Sequence, residues 1–193
     1  MQPDLPKTLR RGIFGASTDG SCLILEYGDE NGWVAGLIRT PWPDKKKGLI
    51  KLMARIAVIY WSGTGNTEQM AHEVVQGAKD SGAQVDLFGV SEFSSSQCGE
   101  YDALAFGCPS MGAEQLEESE FEPVFTECEP YLKGKKLGLF GSYGWGDGEW
   151  MRSWEAQCSQ LGAQLVKEGV ICNGAPDEEG VRMCRELGKA LTK

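Results

Sequence analysis

A six-residue apolar run, Arg55 to Tyr60 (RIAVIY), breaks into Trp61-Ser62-Gly63-Thr64-Gly65-Asn66-Thr67 and then into a stretch that puts Met70, Ala71, Val74, Val75 and Ala78 on one helical stripe. No other feature of the chain constrains its fold as tightly. An uninterrupted apolar run suits a strand buried on both faces of a parallel sheet. The 3.6-residue spacing after it predicts an amphipathic helix, which Ser81-Gly82 ends. A strand, a tight loop and a helix in that order form the first half of a right-handed crossover. His72 falls off the apolar stripe and is expected to face solvent.

The alternation continues to the end of the chain. Gln84 to Phe88 reads as a second strand and Ala103 to Gly107 as a third. Glu118 to Leu132 reads as a helix interrupted near Pro123, and Lys136 to Phe140 as a fourth strand. A helix follows with Trp150, Met151, Trp154, Cys158 and Leu161 on one face. Gln164 to Ile171 reads as the fifth strand, and Val181, Cys184, Leu187, Gly188 and Leu191 line a last helix. Five strands interleaved with helices predict an α/β fold, an open, doubly wound parallel sheet covered on both sides. Residues 1–52 differ: they are rich in Gly, Pro and charge, with one plausible hairpin around Asp29-Glu30-Asn31-Gly32 and too little apolar surface for a core of their own. They are expected to be an N-terminal extension, flexible or translated from upstream of the true start, ahead of a functional domain at 53–193.

The loop from Ser62 to Thr67 contains no lysine or arginine. An anion held there must be held by main-chain N–H groups, the positive end of the following helix and the hydroxyls. A triphosphate loop would read GxxxxGK[ST], yet Gly65 is followed by Asn66 and Thr67. A dinucleotide fingerprint would need a third glycine where Glu68 stands. What remains is a terminal phosphomonoester in a neutral pocket, or else an ordinary Ser/Gly turn capping a helix. In open parallel sheets ligands lie beyond the carboxyl ends of the strands. Two more loops fall at those ends: Cys108 to Glu114, and Gly141 to Gly148. Trp145 between Gly144 and Gly146 has little to pack on except a flat partner, and Met111 offers a polarizable thioether to the other face of a ring. The two describe a slot for a planar heterocycle, the alternative being that they cover the sheet edge.

Net charge is −9, with residues 53–193 carrying 11 Lys and Arg against 22 Asp and Glu. That surface repels nucleic acid and anionic lipid and favours basic partners. Seven cysteines without a CxxC pair, beside a single histidine, support neither a zinc nor an iron–sulfur framework and point to free thiols in a reducing compartment. No apolar stretch reaches membrane-spanning length and no secretory pattern opens the chain, so a cytoplasmic location without membrane insertion is expected.

YWSGTGNTE, GCPSMGAE and LFGSYGWGDGEWM, taken together, resemble the flavodoxins, and the short-chain clostridial type in particular, over residues 53–193. The resemblance implies strand order 2-1-3-4-5 and non-covalently bound FMN. It implies that Ser62, Thr64, Asn66 and Thr67, with Gly63 and Gly65 between them, bind the phosphate, and that Met111 and Trp145 flank the isoalloxazine ring. Glu114 would accept from the ring N3–H, Gly144 and Gly146 would supply N–H groups near O2, and Ser142 would lie toward the ribityl phosphate. Pro109, Ser110, Gly112, Ala113 and Tyr143 complete the two ring-side loops. Ala113 stands where related chains often have a polar residue, and Pro109 where some have Ser. The implied function is a low-potential one-electron carrier cycling between neutral semiquinone and anionic hydroquinone, with Gly112 offering its carbonyl to N5–H through a peptide flip. Its partners would be redox proteins with basic docking faces, such as ferredoxin-using oxidoreductases, met by a monomer. An FMN-dependent NAD(P)H or quinone reductase is the alternative. A phospho-acceptor receiver domain would need an Asp where the third strand runs into Gly107-Cys108-Pro109.

Overall fold

The computed structural model describes residues 53–193 and, ahead of them, only the main chain of four short strands. The chain divides into two compact units, Met1–Leu52 and Met53–Lys193. In the first, β1 (Arg11–Ala16) pairs antiparallel with β2 (Ser21–Tyr27), and β2 also pairs with β3 (Trp33–Val34) and β4 (Thr40–Pro41). Tyr27 faces Trp33; the hairpin turn expected around Asp29 to Gly32 lies outside the described residues.

The second unit is an open parallel sheet. Its strands are β5 (Arg55–Tyr60), β6 (Gln84–Gly89), β7 (Ala103–Gly107), β8 (Lys136–Tyr143), the two-residue β9 (Gln164–Leu165) and β10 (Val170–Asn173). The spatial order is β6-β5-β7-β8-β10, which is the expected 2-1-3-4-5. Successive side chains of a strand face opposite sides, and the core divides accordingly. Ala57, Ile59, Leu104, Phe106, Leu137 and Leu139 pack with α2 (Phe121–Cys128) and α3 (Glu149–Gln160). Ile56, Val58, Ala103, Ala105 and Phe140 pack with α1 (Asn66–Asp80) and α4 (Glu178–Leu191). Each buried Val, Ile, Leu or Phe among them is worth roughly 1.5–3 kcal/mol over its exposed state. The α1 stripe is buried as predicted, and His72 is exposed. Gly77 and Gly188 let α1 and α4 touch main chain to main chain: a Cβ on either would fall inside contact distance of the other helix's backbone.

Three expectations are corrected. Pro123 does not interrupt a helix: α2 begins at Phe121, so the proline occupies the first turn, where a missing N–H costs nothing. The helix stops at Cys128 and passes into a 3₁₀ turn, Glu129–Tyr131, that contains Pro130. The fourth strand runs three residues beyond Phe140, because Phe140 to Tyr143 pair with Val170 to Asn173. The fifth strand is split. Leu165 faces Leu137 and Val170 faces Phe140, so five residue steps oppose three and the two surplus residues leave the ladder. Among the described residues six cysteines are free and all are buried, shared between the two core layers.

Candidate functional site

The carboxyl ends of β5, β7 and β8 carry the three loops. Trp61 donates from its N–H to the Gly107 carbonyl at 2.9 Å, fixing where the first loop leaves the sheet. Gly65 then takes φ +88° as the cap of α1, a conformation open to glycine at no steric cost, and its N–H donates to Ser62 Oγ at 3.0 Å. That is the single main-chain donor between Ser62 and Thr67 with an acceptor among the described residues. The N–H groups of Ser62, Gly63, Thr64, Asn66 and Thr67 stay open at the positive end of a 15-residue helix, with the hydroxyls of Ser62 and Thr64 beside them. Unpaired donors in that arrangement make an anion site.

Thr67 differs from its neighbours. It is 1 % exposed, and its Oγ1 lies 3.0 Å from the buried Ser142 Oγ and also accepts from Ser142 N–H at 3.4 Å. Its hydroxyl therefore clamps α1 to β8, and what it presents to a ligand is its N–H. Ser142, expected beside the ribityl phosphate, is the other half of this clamp. Close by, the Tyr60 hydroxyl donates to Glu68 at 2.9 Å. Burial, followed by that bond and the charge of Glu68, raises the Tyr60 pKa and keeps the phenol protonated.

Beside the loop lies a pocket of about 340 Å³, within the range of small-molecule sites. Gly63, Thr64 and Asn66 line one end, Pro109, Ser110 and Met111 one wall, and Ser142, Tyr143 and Gly144 the other. None of the lining residues is charged. Trp61, Tyr143 and Gly174 also line it. Tyr143 is a predicted site residue; Trp61 and Gly174 are not, though Trp61 sits inside the loop that was singled out. Ser110 N–H donates to Ser142 O at 2.9 Å, locking the second loop to the end of β8. Met111 lines the pocket and is 38 % exposed, whereas Trp145, 62 % exposed, is not among the lining residues.

A carboxylate also joins the second and third loops. Met111 and Gln115 exchange main-chain hydrogen bonds of 2.9 and 3.0 Å, closing a small loop in which Gly112 takes φ +48°. Glu114, at φ +54°, is the only described non-glycine residue with positive φ. A strained backbone of that kind persists where surrounding contacts over-determine it. Here Glu114 Oε1 accepts from the N–H groups of Gly148 and Glu149, at 2.9 and 3.0 Å, at the start of α3. Its carboxyl lies where a Cβ on Gly146 would be, so Gly146, at φ +92°, is needed for both its conformation and its emptiness. Ala113 and Gly144 are exposed, and a Cβ on Gly144 would meet nothing within 4 Å.

Two further groups stiffen the second loop. Cys108 is buried, and desolvation pushes its pKa up to about 12, so the thiol stays protonated and inert. Glu117 is 7 % exposed. Desolvation alone would raise its pKa, but the Ser119 side chain and the N–H groups of Phe121, Glu120 and Ser119 all donate to it and hold it at about 2. This ionised carboxylate caps α2 and fixes where the loop ends. The second and third loops and the helix starts that follow them carry exposed acids, Glu118, Glu120, Asp147 and Glu149, and Arg152 is bound to the last two. No described helix is long and apolar enough to cross a membrane.

Comparison with known proteins gives the same picture. The flavodoxin family matches over residues 58–188. A flavodoxin of Megasphaera elsdenii is 44 % identical over 138 residues, 72 % of this chain and 98 % of that protein. A flavodoxin of Clostridium beijerinckii is 45 % identical over 134 residues, covering 69 % and 96 %. The solution structure of the two-electron reduced Megasphaera elsdenii flavodoxin superposes with a TM-score of 0.66 over 71 % of this chain and 98 % of that one.

Proposed function

Since the chain belongs to the flavodoxin family, whose members are electron-transfer proteins and not enzymes, we propose that residues 53–193 hold FMN and pass single electrons between its neutral semiquinone and anionic hydroquinone. The observation that carries this reading is the row of unpaired N–H groups from Ser62 to Thr67 at the mouth of a pocket without a charged side chain. A phosphate monoester fits such a cradle, because its charge is met by dipoles and hydroxyls and needs no counter-ion.

Bound FMN supplies the redox chemistry; the protein supplies position and electrostatics. Ser62, Thr64 and the five open N–H groups would hold the phosphate, while Met111, Tyr143 and Trp145 would shelter the ring. The Glu114 oxygen Oε2, which has no partner among the described residues, is the acceptor for the ring imide. Gly112 supplies the loop carbonyl for a protonated ring nitrogen, as its positive φ and missing Cβ permit a change of peptide orientation. The acidic loops and the neutral pocket disfavour added negative charge on the ring, which lowers the potential of the second reduction step. The same acidic loops suit partners with basic docking faces. The reductase alternative gains no support from relatives that are themselves flavodoxins.

An anaerobic reductive titration of the purified chain followed by absorbance tests this reading. Two separated one-electron steps from a yellow protein are expected. A colourless protein that takes up no added FMN overturns it.

A further inference from the structure

The amino end of the same sheet carries a second cleft, of about 560 Å³. Its walls come from the start of β8 at Lys136, from Val166 and Lys167 where the split fifth strand leaves the ladder, and from the end of α4 at Lys189 and Lys193. Leu165, Val166 and Ala190 give it an apolar floor.

Its charge sets it apart from the rest of the unit. Residues 53–193 have 11 Lys and Arg, and four of them line this one cleft. All four arginines of the unit, Arg55, Arg152, Arg182 and Arg185, are engaged in ion pairs. Lys167 pairs with Glu186 at 2.9 Å, and Glu186 is also held by Arg182. Among the described residues Lys136, Lys189 and Lys193 have no ion pair. Glu186 is the only carboxylate side chain in the lining and already serves two cations. With four lysines against one glutamate, the lining is positive in a unit with twice as many acids as bases.

We propose that this cleft binds a compact polyphosphate, either free or as the diphosphate end of a small molecule. Lysines present point charges suited to phosphate oxygens, and no arginine is present in the lining to fork onto a planar carboxylate. No aromatic side chain lines the cleft, so stacking on a base is not what it offers. The surrounding negative surface selects for compactness. A nucleic acid or an anionic membrane would extend beyond the reach of four lysines and meet repulsion, because the local potential decays within about 10 Å at 0.1 M salt.

The site is independent of the FMN reading and is tested on the full chain incubated with excess FMN. Pyrophosphate is titrated calorimetrically at low ionic strength, with ADP in a parallel arm, into the wild type and the surface double variant Lys136→Ala/Lys189→Ala. Saturable one-to-one uptake of pyrophosphate is expected, weakened about tenfold in the variant, since two of four charges are gone. ADP binding at least as tight as pyrophosphate assigns the site to the diphosphate end of a small molecule; binding of pyrophosphate alone assigns it to the free anion. Uptake of neither anion, uptake of ADP alone, or an affinity unchanged in the variant overturns the proposal. Because the readout is tied to the two lysines, none of these outcomes bears on flavin binding.

Discussion

The two ends of the sheet differ in how they supply positive potential. At the carboxyl end a pocket of about 340 Å³ has no charged lining residue and an anion cradle made of N–H groups; at the amino end a cleft of about 560 Å³ has four lysines. A dipolar cradle recognises phosphate without placing a full positive charge beside whatever is attached to it. For an electron carrier that matters, because a lysine in the pocket would stabilise the reduced, anionic ring and raise its potential. The lysine cleft is under no such restriction.

The sharpest way to break this contrast is to put a charge into the neutral cradle. Thr64→Asp sets a carboxylate against the phosphate, and FMN affinity should fall about a hundredfold or more, as expected for like charges near 4 Å at a protein surface. Fluorescence quenching of added FMN measures it, and an unchanged affinity would mean that the phosphate is held elsewhere.

Next in size is Glu117→Gln, which removes the ionised cap of α2 and should cost on the order of 2 kcal/mol at pH 7. The folded pKa of Glu117 is depressed to about 2 from 4.5, so its contribution is complete above pH 4.5 and disappears as pH falls toward 2. Urea unfolding of both proteins should therefore show a gap at pH 7 that narrows by pH 3. A gap independent of pH would assign Glu117 no electrostatic role.

Gly146→Ala forces a Cβ into the Glu114 carboxyl at a residue with φ +92°. A loss of about 1–2 kcal/mol in stability is expected. Restoration of that stability by adding Glu114→Ala would identify the clash as its cause, and failure to restore any of it would point to backbone strain alone.

The smallest effect sharpens the comparison most directly. Raising salt from about 50 to about 200 mM should weaken pyrophosphate binding several-fold, while FMN affinity holds or improves slightly, since salt screens the repulsion between a net −9 protein and the phosphate. Parallel loss of both affinities would erase the distinction between the two ends.

Much of this was legible in one dimension. Periodicity located β5, β7 and the buried stripe of α1, because a side chain facing a core must be apolar at every return of the element to that face. The open N–H groups of the Ser62 to Thr67 loop were legible too, since the chemistry that leaves them open is local: glycine, hydroxyls and a helix start, adjacent in the chain. Pro123 misled, as a proline in a first turn and one in a helix interior look alike until the helix start is known, and that start is set by Glu117 capping across a loop. The split of the fifth strand was equally hidden, because a ladder is a relation between two strands and the surplus appears only when Leu165 and Val170 are set against β8.

The amino-acid order by itself determined the α/β alternation, the neutral character of the Ser62 to Thr67 loop and the acidic balance of residues 53–193, for these are properties of neighbours in the chain or of composition. Tertiary structure alone decided that Thr67 spends its hydroxyl on Ser142, 75 residues away, that Glu114 reaches across to the start of α3, and that Lys136, Lys167, Lys189 and Lys193 share one cleft. Those are contacts between distant segments, and their energies depend on distances that exist only once the sheet has been assembled.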